Sequence, residues 1–178
     1  MASTPRLIDQ SRQWLTLLRS GLRREPTLTE TGMISRLVLP VELMPSNHQR
    51  ELLTTMAESI WASLTVGNPD DEDRRRGVVI AKLFGTLASD RVPDDISVLR
   101  MAVWLEALDD QPAALVEAAA RAWIRCEDLA EGEAMERRAF APRPAELLRL
   151  IWLNRERREA DLLTIHRALE AVAAEAPA

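Results

Sequence analysis

The sequence Trp-Leu-Glu-Ala-Leu-Asp-Asp-Gln-Pro, residues 104–112, decides the fold of this chain because it joins two helical patterns. Up to its Asp-Asp-Gln-Pro end, apolar residues recur at the spacing of one helix face over Asp94–Leu108. This face is predicted to form one buried stripe of Ile96, Leu99, Val103, Trp104 and Leu108. Proline suits the first turn of a helix but clashes in its interior, so a second helix is expected to begin near Pro112. A junction this short makes the two helices antiparallel neighbours.

The second helix and the segment that follows it continue the helical pattern. One face of the second helix carries Leu115, Ala119, Ala122, Trp123 and Cys126. The thiol on this face is expected to be buried. Residues 140–147, Phe-Ala-Pro-Arg-Pro-Ala-Glu-Leu, predict the start of a further helix. Pro144 fits its first position, Arg143 its N-cap, and the Glu146 carboxylate can reach back to free backbone N–H groups.

The segments 104–112, 118–125 (Ala-Ala-Ala-Arg-Ala-Trp-Ile-Arg) and 140–147 resemble, in this order, small proteins encoded by phages and prophages. The relatives of that pattern are replicative-helicase loader and inhibitor proteins of the type without an ATPase site. The resemblance implies that this chain binds a hexameric replicative helicase of a host or phage, as an ATP-independent loader or inhibitor. It marks as scaffold positions, without a chemical role, Trp104, Leu108, Asp110, Pro112, Trp123, Phe140, Pro142, Glu146 and Leu147.

The rest of the chain is predicted to be helical as well. Apolar periodicity and terminal signals predict helices over Arg6–Arg24, Asn47–Val66 and Asp70–Ser89, with Asn47 as an N-cap. Residues 27–46 are interpreted as a short helix plus a loop, although Met33–Leu39 also fits an extended segment. The tryptophans expected in the core are Trp14, Trp61, Trp104 and Trp123. The predicted fold is an all-α, single-domain bundle of five or more helices, which takes in residues 1–178.

The final helix is expected to be long, from Pro144 toward Glu175. Its charged middle, residues 155–159, offers few apolar side chains to a core, so two interpretations compete. Residues 159–178 either pack back on the bundle or project as a partner-binding tail, by insertion into a groove or by self-pairing. The hypothesised partner contacts are Arg155, Arg157, Arg158, Leu162, Leu163, Ile165 and Leu169.

Composition limits the classes of function. The chain has 178 residues and a net charge of −5, whereas a protein that grips phosphate backbones needs a basic face. Direct nucleic-acid binding is therefore expected to be weak or absent, and short runs such as Arg74–Arg76 are interpreted as solvated surface. No apolar run approaches the length of a membrane span, and the first residues lack the core of a signal peptide. A cytoplasmic location without membrane contact is expected.

No residue pattern indicates catalysis. The single lysine, Lys82, has no phosphate-binding loop before it, and the two histidines, His48 and His166, are far apart in sequence. We therefore expect no enzyme, no cofactor and no metal site. Helicase binding has two alternatives. One is a self-oligomerising structural or assembly protein of a phage or phage-like element, and the other is a nucleic-acid-binding regulator that uses the arginine runs.

Overall fold

The computed structural model describes residues 4–29, 32–86, 94–127 and 141–175, and this part of the chain is mostly helical. Its α-helices are α1 (Thr4–Gly21), α2 (Asn47–Leu64), α3 (Pro69–Thr86), α4 (Asp94–Ala107), α5 (Ala113–Arg125) and α6 (Pro144–Glu175). Two strands, β1 (Arg23–Thr29) and β2 (Gly32–Val38), and a 3₁₀ turn, Val41–Leu43, lie between α1 and α2. The prediction of a helical fold with a long C-terminal helix is confirmed.

The strands correct the prediction of an all-α chain. β1 and β2 form an antiparallel hairpin where a short helix and loop were preferred, so the extended alternative for Met33–Leu39 is the one observed. α1 ends at Gly21 instead of Arg24. Gly32 has a φ of 131°, a conformation that glycine adopts without a steric penalty. Pro26 lies within β1, where it would have broken a continued helix. Each strand is stabilised by its pairing with the other strand. The spacing of apolar residues within one segment does not reveal such pairing.

The contacts divide the chain into two compact units. The first unit takes the described residues up to Ile60 and from Glu159 onward, and the second takes Trp61–Arg158. α2 and α6 therefore contribute to both units. The single domain predicted from the sequence stays a prediction.

In the first unit, the end of α6 packs against α1. The Arg19 guanidinium donates to the Asp161 carboxylate at 2.9 Å, and its Nε–H donates to the Thr164 hydroxyl at 3.3 Å. The end of α6 thus contributes to the packing of the first unit, and its role as a partner-binding tail stays a prediction. The buried apolar side chains described in this unit include Leu15, Leu18, Leu39, Leu53, Ala57, Leu162, Ile165, Ala168, Ala171 and Val172.

The second unit has a core built from α3, α4, α5 and the start of α6. The buried cluster consists of Ile80, Leu83, Trp104, Leu108, Leu115, Val116, Ala119, Ala120, Trp123, Leu147, Leu150 and Ile151. Phe84 packs edge-on against the Trp104 indole, with 5.6 Å between ring centroids. The Asp-Asp-Gln-Pro junction thus joins two helices that share one core, as the sequence predicts.

Helix starts confirm one cap prediction and correct another. The Arg143 N–H donates to the Glu146 carboxylate at 2.7 Å, which is the predicted capping contact of α6. At α2 the cap is Ser46, one residue before the predicted Asn47. The Ser46 N–H donates to the Gln49 side-chain oxygen at 2.8 Å, and the Gln49 N–H donates to the Ser46 hydroxyl at 3.3 Å. Serine three residues before glutamine forms this reciprocal pair.

The burial predictions for Trp61 and Cys126 are wrong. Trp61 lies on the exposed side of α2 with 63% of its surface accessible, whereas its apolar neighbours suggested a core position. Cys126 is half-buried because it ends α5 in the left-handed conformation, with a φ of 55°, instead of continuing the apolar face. Trp104 and Trp123 are buried as predicted, and Trp14 is half-buried.

Candidate functional site

The largest departure from the predicted core is an exposed apolar surface on α4. Its side chains are Ile96 (50% exposed), Val98 (70%), Leu99 (65%) and Val103 (50%), here called the α4 apolar face. Three of these residues were predicted to be buried with Trp104 and Leu108, but only Trp104 and Leu108 are. At about 100° per residue, the face covers nearly half of the helix circumference.

The opposite side of α4 packs against the core of the second unit. Trp104 is packed against Phe84, Leu108 is fully buried, and the Arg100 guanidinium lies over the Phe84 ring at 5.2 Å. A helix that is apolar all round is normally buried on every side. α4 has such a composition, yet half of it is open, so its free side is the best candidate for a contact with another molecule.

Charges stand at both ends of the α4 apolar face. Asp95 precedes it and Glu106 follows it, both exposed and both in line with the face at helical spacing. Arg100, the basic residue of this segment, lies over Phe84 instead. The face is thus an apolar surface with an acidic residue at each end, which matches an apolar groove with basic residues at its rim.

Two buried charged side chains of α3, Glu72 and Arg76, bind the junction between α4 and α5. The Glu72 carboxylate is 6% exposed and accepts a hydrogen bond from the Ala113 N–H at the start of α5. One turn later, the Arg76 guanidinium is 2% exposed and donates to the Gln111 carbonyl at 2.6 Å. Pro112, the residue before α5, has no side-chain cap of its own. Glu72 therefore supplies the missing cap and complements the positive end of the helix dipole.

The burial of Arg76 corrects the interpretation of the run Arg74–Arg76 as solvated surface. Arg74 and Arg75 are exposed as predicted, but Arg76 is buried and also donates to Asp73 at 2.5 Å. The Glu72–Arg76 spacing of four residues places both side chains on one helix face. That spacing was visible in the sequence, but the backbone groups they bind lie 41 and 35 residues further along the chain.

The first unit contains a cavity of about 380 Å³ between the hairpin and the end of α6, here called the hairpin cavity. It is lined by Arg24, Ile34, Ser35, Arg36, Leu37, Leu163, His166, Arg167, Glu170 and Ala174. Three arginines and one carboxylate give it a positive charge, and aliphatic side chains line part of its wall. The sequence did not reveal this site because its residues come from segments more than 120 positions apart.

The hypothesised partner contacts on α6 fall into two groups. Leu162 and Ile165 are buried, so they cannot contact a partner while the fold is intact, and Leu169 is half-buried. Leu163 is 48% exposed and lines the hairpin cavity. The spacing of apolar residues in α6 could not distinguish the buried side chains from the exposed Leu163, because it does not show which side of the helix packs against α1.

The arginines predicted as contacts also differ from one another. Arg157 is exposed, whereas Arg155 and Arg158 are half-buried. Loss of water around the Arg158 guanidinium lowers its pKa, and the nearby positive charge of Arg121 lowers it further. Arg157 is therefore the most accessible of the three for a partner.

The scaffold positions of the resemblance are mostly interior. Trp104, Leu108, Pro112, Trp123, Pro142 and Leu147 are buried. Asp110 is exposed and accepts a hydrogen bond from the Gln111 amide at 2.6 Å, and Glu146 caps α6. Phe140 and most of the preceding insert lie outside the described residues.

Within the described part of the chain, no three His, Cys, Asp or Glu side chains are grouped so that they could hold a metal ion. None of its helices combines the length and apolar character that a membrane crossing requires. No protein-family model, curated protein or solved structure matches this chain.

Proposed function

We propose that this protein is a non-enzymatic interaction module that binds a replicative DNA helicase, as an ATP-independent loader or inhibitor. The observation that carries the proposal is the α4 apolar face, where four aliphatic side chains are at least half exposed within eight residues. Scattered exposed aliphatic residues are ordinary, but a contiguous apolar surface on a well-packed helix is typical of a protein contact. Burial of one such side chain contributes about 1.5–3 kcal/mol.

Charge favours a different protein over a second copy of this chain as the partner. In an antiparallel pair of α4 helices centred on the face, Asp95 of one copy lies near Glu106 of the other. In a parallel pair, each acidic residue lies near its own counterpart. Both arrangements bring like charges together, which is unfavourable by a few tenths of a kcal/mol per exposed pair.

The identity of the partner rests on the resemblance, which covers about residues 93–154. Its scaffold residues include Trp104, Leu108 and Pro112, which fix α4 and its junction to α5 in the second unit. A scaffold that holds α4 in place while its outer side stays free fits a protein that acts by contact. Because the sequence carries no phosphate-binding loop, the helicase would supply all nucleotide chemistry.

The proposal is tested by calorimetry and size-exclusion chromatography with light scattering, using the full chain and the replicative helicase of its host. Val103→Asn removes an aliphatic group from the α4 apolar face. Val78→Asn is the matched control, because Val78 is 48% exposed on α3, also in the second unit. We expect Val103→Asn to weaken binding about tenfold and Leu99→Glu to weaken it more, because both place polar groups in an apolar contact. Val78→Asn should bind as wild type.

Three outcomes would contradict the proposal. The first is that the wild-type chain does not bind the helicase. The second is that both asparagine variants lose binding equally, which would place the contact elsewhere. The third is a large self-assembly that ignores the helicase and dissociates in Leu99→Glu, which would support a structural or assembly protein.

A further inference from the structure

The hairpin cavity contains an arginine with one guanidinium edge that no described residue binds. Arg36 lines the cavity, and its Nε and Nη2 atoms are both buried without a hydrogen bond to any residue that the structure describes. These two atoms share one edge of the guanidinium plane and present two parallel N–H donors. Buried donors are normally satisfied, so an empty edge of this kind indicates a missing acceptor.

The acceptor that fits this edge is a carboxylate or a phosphate group. Either group offers two oxygens at the separation that the two N–H donors require. Glu25 lies opposite Arg36 in the hairpin register, but its exposed carboxylate does not satisfy the edge. Arg24 and Arg167 line the same cavity and add positive charge.

The remaining lining residues favour the carboxylate. Ile34, Leu37 and Leu163 give part of the wall an aliphatic character, which suits the carbon chain next to a carboxylate. Glu170 also lines the cavity, and its negative charge opposes a phosphate dianion more than a carboxylate monoanion.

We propose that the hairpin cavity binds a carboxylate carried on a short apolar group, with Arg36 as its bidentate partner. Because Nε and Nη2 are not accessible to solvent, binding requires the long Arg36 side chain to turn this edge toward the ligand. The carboxylate comes either from a small molecule or from an acidic side chain of a protein segment. The cavity belongs to the first unit and the α4 apolar face to the second, so this inference does not depend on the proposed function.

The test is a titration of the ¹⁵N-labelled full chain followed by NMR, with hexanoate as the probe. Hexanamide has nearly the same shape without the charge, and inorganic phosphate has the charge without the apolar chain. Arg36→Lys keeps the positive charge but loses the two-donor edge, and Arg23→Lys is the matched control on a residue of the same hairpin that does not line the cavity. Dispersed spectra of both variants show that the fold is kept.

We expect hexanoate to shift the signals of residues 34–37 and 163–170 in a saturable way. Hexanamide and the Arg36→Lys variant should each bind about tenfold more weakly, because a charge-assisted bidentate pair is lost. Tighter binding of phosphate than of hexanoate would overturn the inference, as would equal affinity of wild type and Arg36→Lys, or no saturable shift at all.

A second ligand distinguishes the two sources of the carboxylate. A capped Leu-Glu-Leu peptide that binds more tightly than hexanoate supports an acidic protein segment as the ligand, and weaker binding supports a small molecule. Replacing its glutamate by glutamine should abolish peptide binding in the first case. Retained binding of the glutamine peptide would show that the cavity recognises apolar groups alone, which contradicts the role of Arg36.

Discussion

Glu72 shows how one buried carboxylate can hold a helix start that has no cap of its own. Its exposed neighbour Asp71 lies on the same first turn of α3 and provides a matched comparison. We expect Glu72→Gln to lower the free energy of unfolding by about 1–3 kcal/mol, because it weakens the hydrogen bond from the Ala113 N–H and removes the ion pair between the Glu72 carboxylate and Arg75. Asp71→Asn should change it by less than about 0.5 kcal/mol. Urea denaturation followed by tryptophan fluorescence measures both, and equal effects would show that Glu72 has no capping role.

Two glycines give opposite predictions for the same substitution. A Cβ added at Gly77, inside α3, would meet nothing within 4 Å, so Gly77→Ala should raise the free energy of unfolding by about 0.5–1 kcal/mol. A Cβ added at Gly21, the last residue of α1, would collide with the Leu43 side chain, so Gly21→Ala should lower it. Thermal unfolding followed by circular dichroism tests the pair. A stabilising Gly21→Ala would mean that Leu43 readily moves away.

At the scale of single residues, the sequence predicts contacts that are local in the chain. The Arg143–Glu146 cap was predictable because its two groups are three positions apart. The Glu72–Ala113 bond was not, because 41 residues separate its ends and many carboxylates compete for that role. The same limit applies to Arg36, whose neighbours in the hairpin cavity come from the other end of the chain.

At the scale of elements, apolar spacing predicts where helices lie better than which side they bury. The observed bounds of α2, α3, α4 and α6 follow the predicted ones within a few residues. α4 is apolar on both sides, so spacing could not tell the side of Trp104 from the side of Leu99. The hairpin was missed because its strands depend on pairing with each other and because neither has the alternation of a half-buried strand.

The charged middle of α6 allows a prediction about its arginines. Because the surroundings lower the pKa of Arg158, the charged form is disfavoured in the fold, and it remains the form present at all ordinary pH values. The charged Arg158 therefore lowers the stability of the fold at every pH below its lowered pKa. This effect disappears as the pH rises from that value to the ordinary pKa of arginine. Arg158→Met keeps the carbon stem and removes the charge, so it should leave stability unchanged or raise it by up to about 1 kcal/mol.

Arg157→Met is the control for this substitution, because Arg157 is exposed and should give no change in chemical denaturation. If Arg158 also contacts a partner, Arg158→Met would weaken helicase binding while the fold stays intact. A clear loss of stability in Arg158→Met would instead show that its charge is used within the fold.

At the scale of the whole molecule, the two units differ in how much of their core comes from the C-terminal end of the chain. The buried core cluster of the second unit lies between Ile80 and Ile151, whereas the first unit takes five buried apolar side chains from α6 beyond Arg158. Deleting this segment to test partner binding would therefore also remove part of a core. Point substitutions on α6 separate folding from binding more cleanly than truncation does.

Ile165 and Leu163 form the matched pair for this purpose, since Ile165 is fully buried and Leu163 is 48% exposed on the same helix. We expect Ile165→Asn to remove hydrogen-exchange protection from α1 and the end of α6, because it places an unpaired amide in an apolar core at a loss of about 3–5 kcal/mol. Leu163→Asn should leave that protection unchanged and weaken only the binding of hexanoate to the hairpin cavity. In both variants α5 should keep its protection, because its core contacts lie within the second unit. Loss of protection in α5 of Ile165→Asn would mean that the two units unfold together, and the chain would then be one cooperative domain, as its length alone suggests.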